Sequence, residues 1–133
     1  MQDSKENIFG EVIYRYTREQ AIEDGVLVDV SAMAREAGIK YPVAITSAVY
    51  DEYVVPNEAL TRYGQSIEGR LWDLLWMFTW GARKTRSDML MFRVSFIVPG
   101  ERGPKTVTTT FKAVCGPGDS GEPVITIMGM DED

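Results

Sequence analysis

The stretch "IEGRLWDLLWMFTWGARKTRSDMLMFRVSFIV", residues 67–98, changes its apolar period halfway along. Between Ile67 and Ala82 the residues Ile67, Leu71, Leu74, Leu75 and Phe78 fall on one face of a helical wheel, which predicts a long amphipathic helix. Ser66, just ahead, is a candidate cap. Trp72, Trp76 and Trp80, four residues apart, make a second stripe on the flank of that helix. From Met89 the period drops to two. Leu90, Phe92, Val94, Phe96 and Val98 point one way, and Met89, Met91, Arg93, Ser95 and Ile97 the other, as on a half-buried strand. A helix that gives way to alternation near residue 86 sets the fold class.

Downstream, "PGERGP" reads as a turn. In "KTVTTTFKAVC" Val107, Thr109, Phe111, Ala113 and Cys115 face one side, and Thr106, Thr108, Thr110 and Lys112 the other. "PVITIMGM" makes a third strand. Upstream, Thr17 with Gln20 forms a capping box opening "REQAIEDG", and Gly25 stops that helix. "VLVDV" (Val26 to Val30) is a short extended piece, Ser31 caps a second helix that Gly38 ends, and Pro42 opens a third through "VAITSAVYDEYV", where β-branched residues leave strand open. The expectation is one α+β domain. A mainly helical part, about residues 1–86, packs on a three-stranded antiparallel meander over 87–130, with the long Trp-rich helix against the sheet.

A chain of 133 residues can bury a single core, and 44% hydrophobic with 26% charged residues is ordinary globular composition. "LWDLLWMFTW" is shorter than the roughly 18 to 20 residues that span a bilayer and carries Asp73, and "MQDSKENIFG" lacks the apolar core of a secretory signal. One cysteine cannot form an internal disulfide, so the expected compartment is the cytosol, with no membrane partner. The net charge of −6 sits mostly in residues 1–66, with 11 Asp/Glu against 6 Lys/Arg. Phosphates repel such a surface, which disfavours direct nucleic-acid binding and leaves solubility or contact with a basic protein surface.

"CGPGDSGEP" (Cys115 to Pro123) resembles the surroundings of a serine-protease nucleophile. Serine attack needs a base, and the chain contains no histidine. The Gly, Pro, Asp and Ser residues therefore read as a loop between strands. The lack of histidine also removes the commonest metal ligand and acid–base group. Cys115 reads as a small core residue, and "DED" at the C-terminus as a fraying tail. Glu23, Asp24 and Asp29 flank Gly25, and Asp51 neighbours Glu52, but no spacing matches a calcium or magnesium loop. No catalytic, cofactor-binding or metal-ligating residue is assigned, and no cofactor is expected.

The tryptophans could fill much of the core of so small a protein. Alternatively, Trp72, Trp76, Trp80 and Arg83 could anchor a partner or a second copy in a homodimer. "RKTR" (Arg83 to Arg86) suits the negative end of the helix dipole. Candidate acidic contacts are Glu19, Glu23, Asp24, Asp51 and Glu52.

The runs "YTREQAIEDGVLVDVSAMAREAGIKYPVAITSAVYDEYV", "GRLWDLLWMF" and "MLMFRVSF" together resemble a family of small uncharacterised proteins carried on bacterial plasmids, integrated elements and phages, roughly from Phe9 to Val98. The resemblance brings no site residue with it. What it implies is a setting, in which small acidic proteins inhibit host defence stoichiometrically, as anti-CRISPR proteins do. The expected function is thus a non-enzymatic binding protein that occludes a host protein, such as a nucleic-acid-binding defence complex, or mimics its nucleic acid. Two alternatives stay open. One is a small enzyme using carboxylates or a metal ion. The other is a nucleic-acid-binding maintenance accessory using Arg83, Lys84, Arg86, Arg93 and Lys112.

Overall fold

A computed structural model describes residues 16–132. Its elements run α1 (Arg18–Glu23), β1 (Leu27–Asp29), α2 (Ser31–Glu36), β2 (Val43–Thr46), α3 (Ser47–Val49) leading into a π-helical turn (Tyr50–Val54), and α4 (Glu58–Thr61). They continue with α5 (Ile67–Ala82), β3 (Met89–Gly100), β4 (Gly103–Pro117) and β5 (Pro123–Gly129). The class is α+β, but the sheet is larger than the meander expected. It has five strands in the order β1-β2-β5-β4-β3 and is mixed, because β2 runs parallel to β5. The meander β3-β4-β5 forms its antiparallel part, with Phe92 opposite Phe111 and Ala113 opposite Ile127.

The part expected to be mainly helical supplies the other two strands: of the two readings left open after Pro42, strand holds for Val43–Thr46 and helix only for the residues that follow. Val43, Ala44 and Ile45 are all buried. A strand covered on both faces shows no alternation, and its sequence looks equally like a helical core segment. Thr46 caps the short helix that follows, its Oγ1 accepting from the Val49 N–H. The π-helical turn then carries Tyr53 onto Phe96 and Phe111, at ring-centroid distances of 5.8 and 5.1 Å.

The other local signals behave as their chemistry requires. Thr17 and Gln20 form a reciprocal capping box on α1, and Gly25 and Gly38 take φ of 78° and 95° at helix ends, where a Cβ would be strained. Ser66 Oγ caps α5 by accepting from the Gly69 N–H. Ser31 departs from expectation. It is inside α2, and the Asp29 carboxylate accepts from both its N–H and its hydroxyl. Ser31 Oγ itself accepts from the Val43 N–H, tying α2 to β2.

Leu71, Leu74, Leu75 and Phe78 of α5 are buried in the core with Phe92, Val94, Phe96 and Phe111 of the sheet. Each such side chain contributes about 2 kcal/mol by leaving water. Gly81 lets the helix close on β3, since a Cβ there would meet Leu90 Cδ2 at 3.2 Å. Arg70 shares this apolar face at 3% exposure. Its Nε donates to the Tyr53 carbonyl at 2.7 Å and Nη1 to the Ile97 carbonyl at 2.8 Å, while the guanidinium lies 4.8 Å over the Phe96 ring. Burial pushes the guanidinium pKa down against the attraction of Asp73.

Of the tail expected to fray, Asp133 lies outside the described residues, and Glu132 is held. Glu132 Oε2 accepts from the Thr46 hydroxyl and the Gly129 N–H. Cys115 is half-buried at the margin of the core, and Val107 is on the inner face yet exposed. Among the described residues no helix is long and apolar enough to cross a membrane.

Candidate functional site

Because positions 71, 74, 75 and 78 of α5 turn toward the sheet, positions 72, 76 and 80 turn away from it. Of the two readings left open for the tryptophans, they do not sit in the buried core: Trp72, Trp76 and Trp80 are 36%, 38% and 47% exposed. They are nevertheless ordered against one another. Trp72 and Trp76 stack with centroids 5.8 Å apart and planes 13° apart, and the Arg83 guanidinium lies 5.1 Å from the centre of the Trp80 ring. Met77, on the same flank, is 40% exposed. Isolated surface hydrophobics need no explanation, but four large ones along one helix make a contiguous apolar face.

This face borders a groove of about 680 Å³ between α5 and β3. Asp73, Trp76, Met77, Trp80 and Lys84 line its helical wall, and Met91, Arg93 and Ser95 the strand wall. Partial burial pushes the Asp73 carboxyl above its ordinary pKa, outweighing the opposing pull of Arg70. The folded state thus binds the Asp73 proton more tightly than the unfolded chain, so the ionised carboxylate destabilises the fold near neutrality. Asp73→Asn should raise the urea midpoint at neutral pH, and the gain should disappear as pH falls through the folded carboxyl's pKa. An equal gain at all pH values would contradict this.

The sequence-derived acidic contacts scatter. Glu19 and Glu23 of α1 line a depression with Asp29, Asp119 and Glu122, where Arg18 is also present. Asp24 accepts from the Tyr16 hydroxyl at 2.8 Å. Glu52 lines another depression with Asp131 and Glu132, and Asp51 is exposed on the π-helical turn. The basic candidates divide as well. Lys84 and Arg93 meet at the α5–β3 groove and Arg83 is beside it, whereas the Lys112 ammonium donates to the Glu132 carbonyl and Arg86 stands exposed.

The Ser120 loop has a structural role. Gly118 to Glu122 closes the turn between β4 and β5, with Gly121 at φ 85°. Asp119 accepts from the N–H groups of Arg18 and Glu19 at 2.8 and 3.0 Å, pinning the first turn of α1. Arg18 continues the contact by donating to Thr126 Oγ1 and the Ile125 carbonyl, both at 2.7 Å. Asp119→Ala should cost about 1–2 kcal/mol of unfolding free energy, as lost helix caps do, and Ser120→Ala less than about 0.5 kcal/mol. A reversed order in urea titrations would refute the assignment. Among the described residues no three His, Cys, Asp or Glu side chains are grouped to hold a metal ion.

Sequence reasoning missed Arg70, Tyr53 and Met77. Arg70 was detectable in principle, because it falls on the same wheel face as Ile67 and Leu74. Residues 6–133 match a family of unknown function, DUF6573, and the chain belongs to it. No curated protein and no solved structure matches the chain.

Proposed function

We propose that this DUF6573 protein is a non-enzymatic binding protein that acts stoichiometrically on a host protein, with the outer flank of α5 as its docking face. The observation that carries this is the outward stripe of Trp72, Trp76 and Trp80 with Arg83 stacked on its end. Trp and Arg are enriched at binding hot spots, where they combine large contact area with a polar or charged handle. Each indole keeps a third to nearly a half of its surface in water, and covering that remainder stabilises a complex. In the mobile-element setting that the sequence resemblance implies, the role of such a protein is to occlude a component of host defence in an anti-CRISPR-like manner.

The test is capture from a bacterial host lysate on immobilised protein, comparing the unaltered chain with one in which all three tryptophans are alanine. The expected result is a partner retained in equimolar amount by the first and lost by the second. Equal retention would overturn the reading.

Charge mimicry of nucleic acid is the competing form of the same function, and salt separates the two. Docking on an aromatic face should weaken less than about tenfold between 50 and 200 mM salt, whereas a mimic of many phosphates should lose about 10³-fold or more. The scatter of Glu19, Glu23, Asp24, Asp51 and Glu52 over separate depressions and turns favours the aromatic face.

A further inference from the structure

Strand β3 ends the sheet, so one of its edges faces β4 and the other has no neighbouring strand. Which residues face which edge follows from one bond. The Cys115 N–H donates to the Asp88 carbonyl at 2.8 Å, in register with Met89 opposite Val114. Hydrogen bonding alternates along an antiparallel pair, so even-numbered residues of β3 bond to β4 and odd-numbered ones turn their N–H and C=O outward. Ile97 agrees, since its carbonyl is the one that Arg70 reaches. The preceding odd residues, Met91, Arg93 and Ser95, line the groove beside Trp76, Met77 and Trp80. Among the described residues nothing pairs with their backbone groups.

Such an edge is normally blunted by proline, by several charges or by a bulge. Here β3 carries a proline only at its far end, Pro99, and a single charge, Arg93, so the stretch from Met89 to Val98 is left open. We propose that the groove receives an extended segment of the protein partner as a sixth strand, hydrogen-bonded to Met91, Arg93 and Ser95. Its apolar side chains, turned toward α5, meet Trp76, Met77 and Trp80, and its acidic ones, turned to the opposite face of the sheet, meet Arg93, with Lys84 adding to the positive field of the groove. The fit is dimensional and electrostatic. An added strand sits about 4.8 Å from β3, and five residues of it span about 17 Å along the edge. Two cations against the one carboxylate of Asp73 select an acidic segment. A second copy of the chain fits poorly. Pairing β3 with its own copy would bring two α5 helices, each packed on its β3, closer than the roughly 8–10 Å that packed helices need.

This inference rests on the docking reading above and refines it, and the two can fail separately. The probes are capped nonapeptides alternating valine with glutamate or with lysine, titrated into isotope-labelled protein and followed by amide NMR. The glutamate peptide should shift and protect the amides of Met91, Arg93 and Ser95, and bind about tenfold more tightly than the lysine peptide. Ser95→Pro deletes an outward N–H without touching the β4 ladder, and should weaken binding about tenfold while Ser95→Ala does not. A glutamate peptide N-methylated along its bonding edge should lose binding to the unaltered protein, which serves if the proline variant folds poorly. The inference is overturned by no binding of the glutamate peptide at millimolar concentration, by equal binding of the lysine peptide or of oligothymidine, or by full binding to a folded Ser95→Pro protein. If a captured host protein depends on the tryptophans but binds Ser95→Pro unchanged, the docking face stands and the added strand falls.

Discussion

Arg70→Ala should lower the unfolding free energy by about 2–4 kcal/mol in a urea titration, a large part of the roughly 5–15 kcal/mol that holds a domain together. The side chain connects three elements at once: α5, which carries it, the π-helical turn through the Tyr53 carbonyl, and β3 through the Ile97 carbonyl. Removing it strands the Tyr53 carbonyl and opens a void against the Phe96 ring. Arg70→Lys should recover only part of the loss, because an ammonium cannot present the planar fork that reaches both carbonyls while covering the ring. A cost below about 1 kcal/mol for Arg70→Ala would show that this junction is not where the helix is fastened to the sheet.

Truncating Trp72, Trp76 and Trp80 together to alanine should have the opposite profile, severe for binding and mild for folding. Hot-spot tryptophans cost at least about 2 kcal/mol each in affinity and are not additive, so the triple variant should lose on the order of 10³-fold. Its unfolding free energy should fall by no more than about 1 kcal/mol per ring, from the lost Trp72–Trp76 stacking and the partly covered ring surface, because each side chain keeps a third to nearly a half of its area in water. Leu74→Ala, one turn away on the same helix but fully buried, should cost about 3 kcal/mol of stability and leave affinity unchanged. Calorimetric titration against the captured host protein, with urea unfolding beside it, reads both quantities. If a single tryptophan-to-alanine variant instead loses as much stability as Leu74→Ala, the indoles belong to the core.

How much of this could be read from sequence follows from how local each signal is. Helix α5 was legible to the residue, since Ser66 caps it and its apolar spacing is helical throughout. The β3–β4 hairpin was legible through period two, including which residues face inward. Strand β2 was not, because Val43, Ala44 and Ile45 are buried on both faces and its parallel partner β5 lies some eighty residues away. Nothing local announces such a pairing. The tryptophan stripe was visible, but its direction was not. Indole area suits a core and an interface equally, and only the positions of Leu71, Leu74, Leu75 and Phe78 on the folded helix decide that it turns outward. The groove itself was hidden, because it joins the flank of α5 to an edge of β3 whose freedom depends on the strand order of the whole sheet. The acidic residues could be counted but not placed, since total charge does not tell which depressions they line.

The most direct test exploits the fact that the chain has three tryptophans and all of them lie on the proposed face. Fluorine NMR of fluorotryptophan-labelled protein, recorded alone and with one equivalent of the captured host protein, reports on that face and nothing else. All three resonances should shift and become shielded from a soluble paramagnetic agent at one-to-one stoichiometry. A saturated complex in which the three signals keep their free positions and their solvent exposure would mean that the partner docks elsewhere.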